Sequence, residues 1–241
     1  MLNSREKSYT GVILKKQPLS EADELLTLYT QEIGKIRAVA KSSKLPKSKL
    51  AFQLQPMFLC EFTLAGSGTL TKIIRIDTKA IFRNIYNSQD RIQLWYVAAE
   101  LVMRATPDEQ VSVDLYKALN NFLVALDDVE LSANQTILIL IKFKLDALVA
   151  IGLGIQYPQA GVLEQVFFSN NVGGFTTGEK PIGGLVIAPA LYDLFIRISK
   201  ALYSDLKLID ADPEQLNTLV SQYINYQLER EIRAEKFIFS P

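Results

Sequence analysis

The chain has 241 residues, 49% of them hydrophobic and 22% charged, and its 26 basic residues balance 26 acidic ones. Those proportions describe a well-cored globular protein, not a disordered one. A single cysteine, Cys60, and no histidine exclude an intramolecular disulfide framework, a structural zinc finger and histidine-based acid–base or nucleophilic catalysis.

Overall neutrality hides an asymmetry. Residues 1–80 carry 13 basic and 7 acidic side chains, and residues 81–241 carry 13 basic and 19 acidic ones. A basic front and an acidic back suggest two modules with different partners. The polar N-terminus MLNSREKSYT lacks the apolar centre of a signal peptide. With the sparse cysteine, this points to a reducing, cytoplasmic setting.

The first 80 residues alternate with the period of β-strands. Thr10–Lys16 places Val12 and Leu14 on one face. Glu24–Thr30 sets Leu26 and Leu28 against Leu25, Thr27 and Tyr29. In Lys35–Lys41, Ile36, Ala38 and Ala40 point one way, and Lys35, Arg37, Val39 and Lys41 the other. Met57–Leu64 aligns Phe58, Cys60, Phe62 and Leu64, and Leu70–Asp77 aligns Leu70, Ile74 and Ile76, with Lys72 as the exception. Turns are supplied by Gly34 and by Gly66-Ser67-Gly68. Five short strands with such turns fit a small closed barrel of the OB-fold or SH3-like kind.

The third strand runs into a loop, and together they concentrate charge. Between Ile33 and Phe52 lie Lys35, Arg37, Lys41, Lys44, Lys47 and Lys49, with no acid among them. Lysine-rich loops often only solvate a surface. Here strand alternation puts Lys35, Arg37 and Lys41 on one outward face, and the loop continues the same sign. A cationic strand face followed by a cationic loop suits a phosphate backbone, whose contacts are independent of sequence and sensitive to salt. Lys15, Lys72 and Arg75 on neighbouring strands widen the patch, and of Lys15 and Lys16 only one points the right way. Tyr29 is a candidate stacking surface for a base, with core packing as the rival reading.

After residue 80 the period becomes helical. Arg91–Ala105 carries Leu94, Val97, Ala98, Leu101 and Val102 on one stripe. Thr106-Pro107-Asp108-Glu109 has the form of a helix start, followed by Leu115, Leu119, Phe122 and Leu126. Ser132 with Gln135 makes a second capping box, opening an apolar helix to about Ile151. Lys142, Lys144 and Asp146 in its middle argue for a buried core helix and against a membrane span. Residues 152–187, rich in Gly and Asn, read as an irregular insert or small hairpin. Pro189 opens a helix through Tyr203, and Asp212-Pro213-Glu214 opens the last one, with Leu216, Leu219, Val220, Tyr223 and Ile224 on its apolar face.

Other chemical groupings are weak. Glu21, Asp23 and Glu24 fit an exposed turn better than a metal site. Gly66-Ser67-Gly68 and Gly173-Gly174 lack the ending and the context of a phosphate loop. Cys60, with no histidine to activate it, reads as a buried small apolar residue.

An ordered set of short matches nevertheless resembles one family. It runs from Gly11-Val12-Ile13-Leu14 through Pro18, Glu21, Asp23 and Leu25 to Leu26-Thr27-Leu28-Tyr29-Thr30. It continues with Gly34-Lys35-Ile36, Val39-Ala40-Lys41, Pro46-Lys47-Ser48-Lys49-Leu50 and Leu54-Gln55-Pro56. Tyr226-Gln227-Leu228, Arg233 and Lys236-Phe237 extend it at the C-terminus. The set resembles the RecO family of bacterial recombination mediators.

The resemblance implies an α+β multidomain protein: a five-stranded OB-fold β-barrel over residues 1–80, then an all-α helical domain over residues 81–241. It implies binding of single- and double-stranded DNA, annealing of complementary strands and loading of the RecA recombinase together with RecR. It also implies binding the tail of single-stranded-DNA-binding protein. Arg197, Lys200 and Lys207 are the helical-domain candidates for the basic rim of a pocket that takes this acidic tail. Many relatives carry a four-cysteine zinc module where this chain has the cysteine-free residues 152–187, so Val166, Phe167, Phe168 and Phe175 are expected to hold the insert by packing. The reading is therefore a non-enzymatic DNA-binding mediator with no cofactor, no metal and no membrane partner. Its rival is a protein-interaction adaptor whose lysines serve solubility.

Overall fold

The computed structural model describes residues 6–48, 50–66, 71–158 and 165–237. Lys49, Leu70, Ser67 and Gly68, named above, lie outside them. Five strands close into a barrel: β1 (Lys7–Pro18), β2 (Glu24–Thr30), β3 (Gly34–Ala40), β4 (Leu59–Ala65) and β5 (Thr71–Ala80). β1 pairs antiparallel with both β2 and β4, and β2 with β3. A short parallel contact, Ala38↔Thr71 and Val39↔Lys72, completes the order β1-β2-β3-β5-β4. This is an OB-like barrel followed by a helical region. Its interior is filled by Ile13, Leu26, Leu28, Ile36, Ala38, Ala40, Cys60, Phe62, Leu64, Ile73 and Ile76. Burial pushes the Cys60 thiol up to about 11, so it stays protonated.

Two strands depart from simple alternation. Val12 and Leu14 do share a face, but it is turned to the helices; Ile13 between them fills the barrel, so β1 is buried on both sides. On β5 a register shift leaves Ile73 and Ile76 inside and Ile74 exposed, contrary to the expected grouping of Ile74 with Ile76. A bulge adds one residue and reverses the side-chain phase beyond it.

The helical region comprises α1 (Arg83–Tyr86), α2 (Gln89–Ala105), α3 (Val113–Leu126), α4 (Ala133–Ala150), α5 (Pro189–Lys200) and α6 (Glu214–Gln227). Short 3-10 segments occupy Tyr203–Leu208 and Arg233–Phe237. The capping box at Ser132 and Gln135 is present. The expected helix start at Thr106 is not. Thr106 instead ends α2, its hydroxyl donating to the Val102 carbonyl, and α3 begins at Val113 behind the Ser112 cap. Tertiary contacts overrule the local signal. The Glu109 N–H donates to the Lys35 carbonyl at 2.8 Å, and Asp108 bridges to Lys35, so residues 106–110 are seated on β3. The helix opened by Pro189 likewise stops at Lys200, short of Tyr203.

The insert is a three-stranded antiparallel sheet: β6 (Val166–Ser169) lies between β7 (Gly174–Thr177) and β8 (Leu185–Ile187). Aromatic rings anchor it. Phe175 contacts Phe168, Tyr192 and Phe195 at ring separations of 4.9, 5.1 and 4.6 Å, and Phe168 contacts Tyr223 at 5.8 Å. Such edge and tilted contacts add to the area the rings bury.

The mid-helix charges of α4 have separate partners. Lys142 pairs with Asp146 at 2.9 Å. Lys144 is 0% exposed and donates to Asn217 Oδ1 and Ser221 Oγ, both at 2.8 Å, and to the Glu235 carboxylate at 2.6 Å. Its three donors meet three acceptors, the condition under which a charge is tolerated in a core. Burial still pulls the ammonium below its ordinary value, with Glu235 opposing. The contact draws the C-terminal segment against α4 and α6.

Candidate functional site

The outer face of β1, β2 and β3 divides into a covered end and an open end. At the covered end Val12, Leu14 and Tyr29 pack into the core of the helical region. Tyr29 is 0% exposed, and burial pushes its phenol up to about 12. Its ring is therefore unavailable to a base, and the core-packing reading holds. Lys35 lies beside it in the β2–β3 register. Its side chain is only 12% exposed; Nζ donates to the carbonyls of Met103 and Thr106 and pairs with Asp108 at 3.3 Å. These are C-terminal carbonyls of α2, where a cation is favoured by the helix dipole. Lys35 is thus first a tether between barrel and helices, a role its alternation did not disclose.

The open end holds the free charge. Lys15 pairs across β1–β2 with Thr27, and Thr27 across β2–β3 with Arg37, so the three form one row. Two strand spacings place the backbones of Lys15 and Arg37 about 10 Å apart. Lys15, Gln17, Leu25, Thr27, Lys35, Arg37 and Met103 line a cleft of about 260 Å³. Arg37 is 57% exposed and has Asp108 at 3.9 Å, a loose pairing. Among the described residues Lys15 forms no ion pair, whereas Lys16 pairs with Glu24 at 3.7 Å and bonds Gln55. Lys15 is accordingly the member of that pair that shares the cleft with Arg37.

The β3–β4 loop begins beside this row. The Ser42 N–H donates to Asp23 Oδ1 at 2.8 Å, the Lys44 N–H to the Ala22 carbonyl at 3.0 Å, and Lys44 Nζ to the Ser20 carbonyl at 3.0 Å. The acidic turn thus pins the basic loop. Lys41, Lys44 and Lys47 remain exposed. Lys72 is exposed on β5 opposite Val39. Arg75 lies opposite Thr63 on β4, bound to Asp77 at 2.9 Å, and does not line the cleft.

A larger cavity of about 740 Å³ adjoins the cleft through Lys15 and Met103, which line both. Its other walls are Leu14, Lys16, Pro56, Gln93, Tyr96, Glu100, Arg104 and Ala234. Gln93, Tyr96, Glu100, Met103 and Arg104 share one face of α2 by helical spacing, a second face beside the apolar stripe. That recurrence was the available sequence signal for these residues, and the stripe drew attention from it.

Glu100 fixes one wall. It accepts from Arg104 Nε at 2.7 Å and from the Ala234 N–H at 2.8 Å. Burial alone would raise its carboxyl, but the Ala234, Arg104 and Arg233 donors prevail and hold it below its ordinary value of 4.5. A carboxyl held lower in the folded than in the unfolded chain stabilises the fold above that value, and the contribution is lost as pH falls through the lowered one. Glu100→Gln should therefore lower the urea midpoint at neutral pH, with the gap to wild type narrowing below pH 4.5. A gap independent of pH would contradict this role.

In the helical region Arg197 is exposed with Asp193 at 4.0 Å, and Lys200 is exposed on the same helix. Lys207 has Asp128 at 3.9 Å and borders a groove of about 270 Å³ that includes Val124, Leu131, Ile139 and Tyr203. Only Lys207 of the three lines that groove. Among the described residues no group of three or more Cys, Asp or Glu is arranged to hold a metal, and no helix is long and apolar enough to cross a membrane.

Comparison with known proteins covers most of the chain. Residues 4–82 match the family described as "Recombination protein O N terminal", and residues 90–236 match "Recombination protein O C terminal". A "DNA repair protein RecO" of Clostridium perfringens is 26% identical over 229 residues, covering 94% of this chain and 87% of that protein. A protein of the same description from Thermobifida fusca is 26% identical over 246 residues, covering 95% and 96%. One from Gloeothece citriformis reaches 31% identity over 120 residues, covering 50% and 42%.

Proposed function

The chain belongs to the recombination protein O family, whose role is recombination mediation in DNA repair, and from that premise we propose that it binds single- and double-stranded DNA on the open end of its barrel face. The observation that carries the reading is the row Lys15–Thr27–Arg37 over a cleft, flanked by the exposed Lys41, Lys44 and Lys47. The outer face of strands 2 and 3 is where OB-folds generally take oligonucleotides. Cations there neutralise phosphates and release counterions, which supplies affinity without sequence preference.

Annealing follows from the same charge. Two strands held on one cationic surface repel each other less, so complementary bases meet at lower cost. Loading of RecA with RecR, and capture of the tail of single-stranded-DNA-binding protein, belong to the helical region in this reading. Lys207 is the favoured rim residue for the acidic tail because it borders an apolar groove. No step requires a cofactor or bond-making chemistry.

Charge reversal tests the assignment. A Lys15→Glu/Arg37→Glu double variant and a Lys44→Glu/Lys47→Glu/Lys49→Glu triple variant are each expected to weaken binding to a fluorescent single strand by about tenfold or more at moderate salt, as several phosphate contacts are lost. Folded variants with wild-type affinity would refute it and favour a protein adaptor.

A further inference from the structure

The cavity between β1 and α2 has a composition that the phosphate-binding face does not explain. Its walls are largely apolar: Leu14, Pro56, Met103 and the ring of Tyr96. Tyr96, on the face of α2 turned to the cavity, is 51% exposed, and its neighbour Trp95 is fully buried. The charges at the rim are mostly matched, Arg104 by Glu100 at 2.7 Å and Lys16 by Glu24 at 3.7 Å. Among the described residues Lys15 is left over, and it lines both this cavity and the Arg37 cleft.

We infer that this cavity is a nucleobase subsite in which a base of a single strand stacks on Tyr96 while its phosphate lies at Lys15. The inference rests on the proposed binding of DNA by the adjoining face. Three features favour a base over another occupant. An exposed aromatic ring next to a backbone-tracking cation is the pairing by which single strands are held without sequence preference. Gln93 at the lip offers an amide that both donates to and accepts from base edges. The shared residues Lys15 and Met103 make the cavity continuous with the cationic row, so one strand spans both. A base within a duplex stays stacked on its neighbours and does not enter, so the subsite discriminates single strands from double.

The test compares oligothymidylate with a strand of equal length built of abasic sugars, which keeps the phosphates and lacks the bases. The proteins are wild type, Tyr96→Ala, Tyr96→Phe and Arg37→Glu, and emission of the buried Trp95 checks the fold. Tyr96→Ala should lose about fivefold or more on oligothymidylate, the lower end of one stacked base. It should lose nothing on the abasic strand, and Tyr96→Phe should bind both as wild type does. Arg37→Glu should weaken both strands alike. Tyr96→Ala binding oligothymidylate as wild type does, or losing equally on both strands, overturns the subsite. If Arg37→Glu binds normally while Tyr96→Ala shows the selective loss, the cationic face is misassigned and the stacking subsite stands. Failure of the wild type to bind either strand overturns both.

Discussion

Replacing Lys144 with alanine is expected to cost about 3–5 kcal/mol of folding stability, the usual effect of removing one member of a buried ion pair. Against a typical total of about 5–15 kcal/mol, that is a large fraction. The loss has two parts. Asn217, Ser221 and the Glu235 carboxylate all direct acceptors at the ammonium; without it Asn217 Oδ1 loses its donor, and Ser221 and Glu235 keep only the hydrogen bond between them and that of Ser221 to the Asn217 carbonyl. The stem of the side chain also fills space beneath α6 that alanine would leave empty. Glu235 is partly exposed and can regain water by lifting away, so the C-terminal turn Arg233–Phe237 should come loose with it. Lys144→Met, which fills the volume without the charge, should cost less than alanine. Urea unfolding measures the stabilities, and hydrogen exchange of residues 231–237 reports the loosening. A Lys144→Ala variant within about 1 kcal/mol of wild type would contradict this role, a loss no greater than many ordinary substitutions cause.

The second large effect is expected at Gly34, where barrel and helices meet. Gly34 has φ +74°, and a Cβ there would stand 2.0 Å from the Gln110 carbonyl oxygen. The left-handed conformation alone costs an alanine about 1–2 kcal/mol. The clash adds to this, because it pushes residues 106–110 off β3, where Glu109 and Asp108 meet Lys35. Gly178 provides the control, with φ +87° and, among the described residues, nothing within 4 Å of its Cβ position. Gly178→Ala should lower Tm by about 2–4 °C per kcal/mol of strain for a chain of this size. Gly34→Ala should fall clearly further. Equal shifts for the two would show that the contact with Gln110 yields at no cost.

Much of the barrel was legible because β4 throughout, and β2 and β3 over their open ends, bury one face and leave the other more exposed, which writes a period of two into the residues. β1 was less legible, being buried on both sides with Ile13 turned inward and Val12 and Leu14 outward to the helices. On β5 a bulge moved the phase between Ile73 and Ile76, and alternation has no means of showing a bulge. Thr106-Pro107-Asp108-Glu109 had every local mark of a helix start, and contacts with β3, distant in sequence, decided otherwise. Packing on the helices buried Tyr29 and tied Lys35, at the cleft's edge, to the end of α2, since the covered and open ends of one strand face look alike in sequence. Lys15 and Arg37 come together only through the β1–β2–β3 register. Tyr96, Met103 and Arg104 escaped notice because their face of α2 is polar and reads as solvent-facing until β1 is placed opposite it.

Salt dependence tests most directly whether the open end of the barrel face holds phosphates. Affinity for a single strand should fall as salt rises, and the slope of log affinity against log salt should be shallower for a Lys15→Ala/Arg37→Ala double variant. The expected change is about 1.4 for two lost phosphate contacts on a single strand. A folded double variant with the wild-type slope would contradict the placement of DNA on this face.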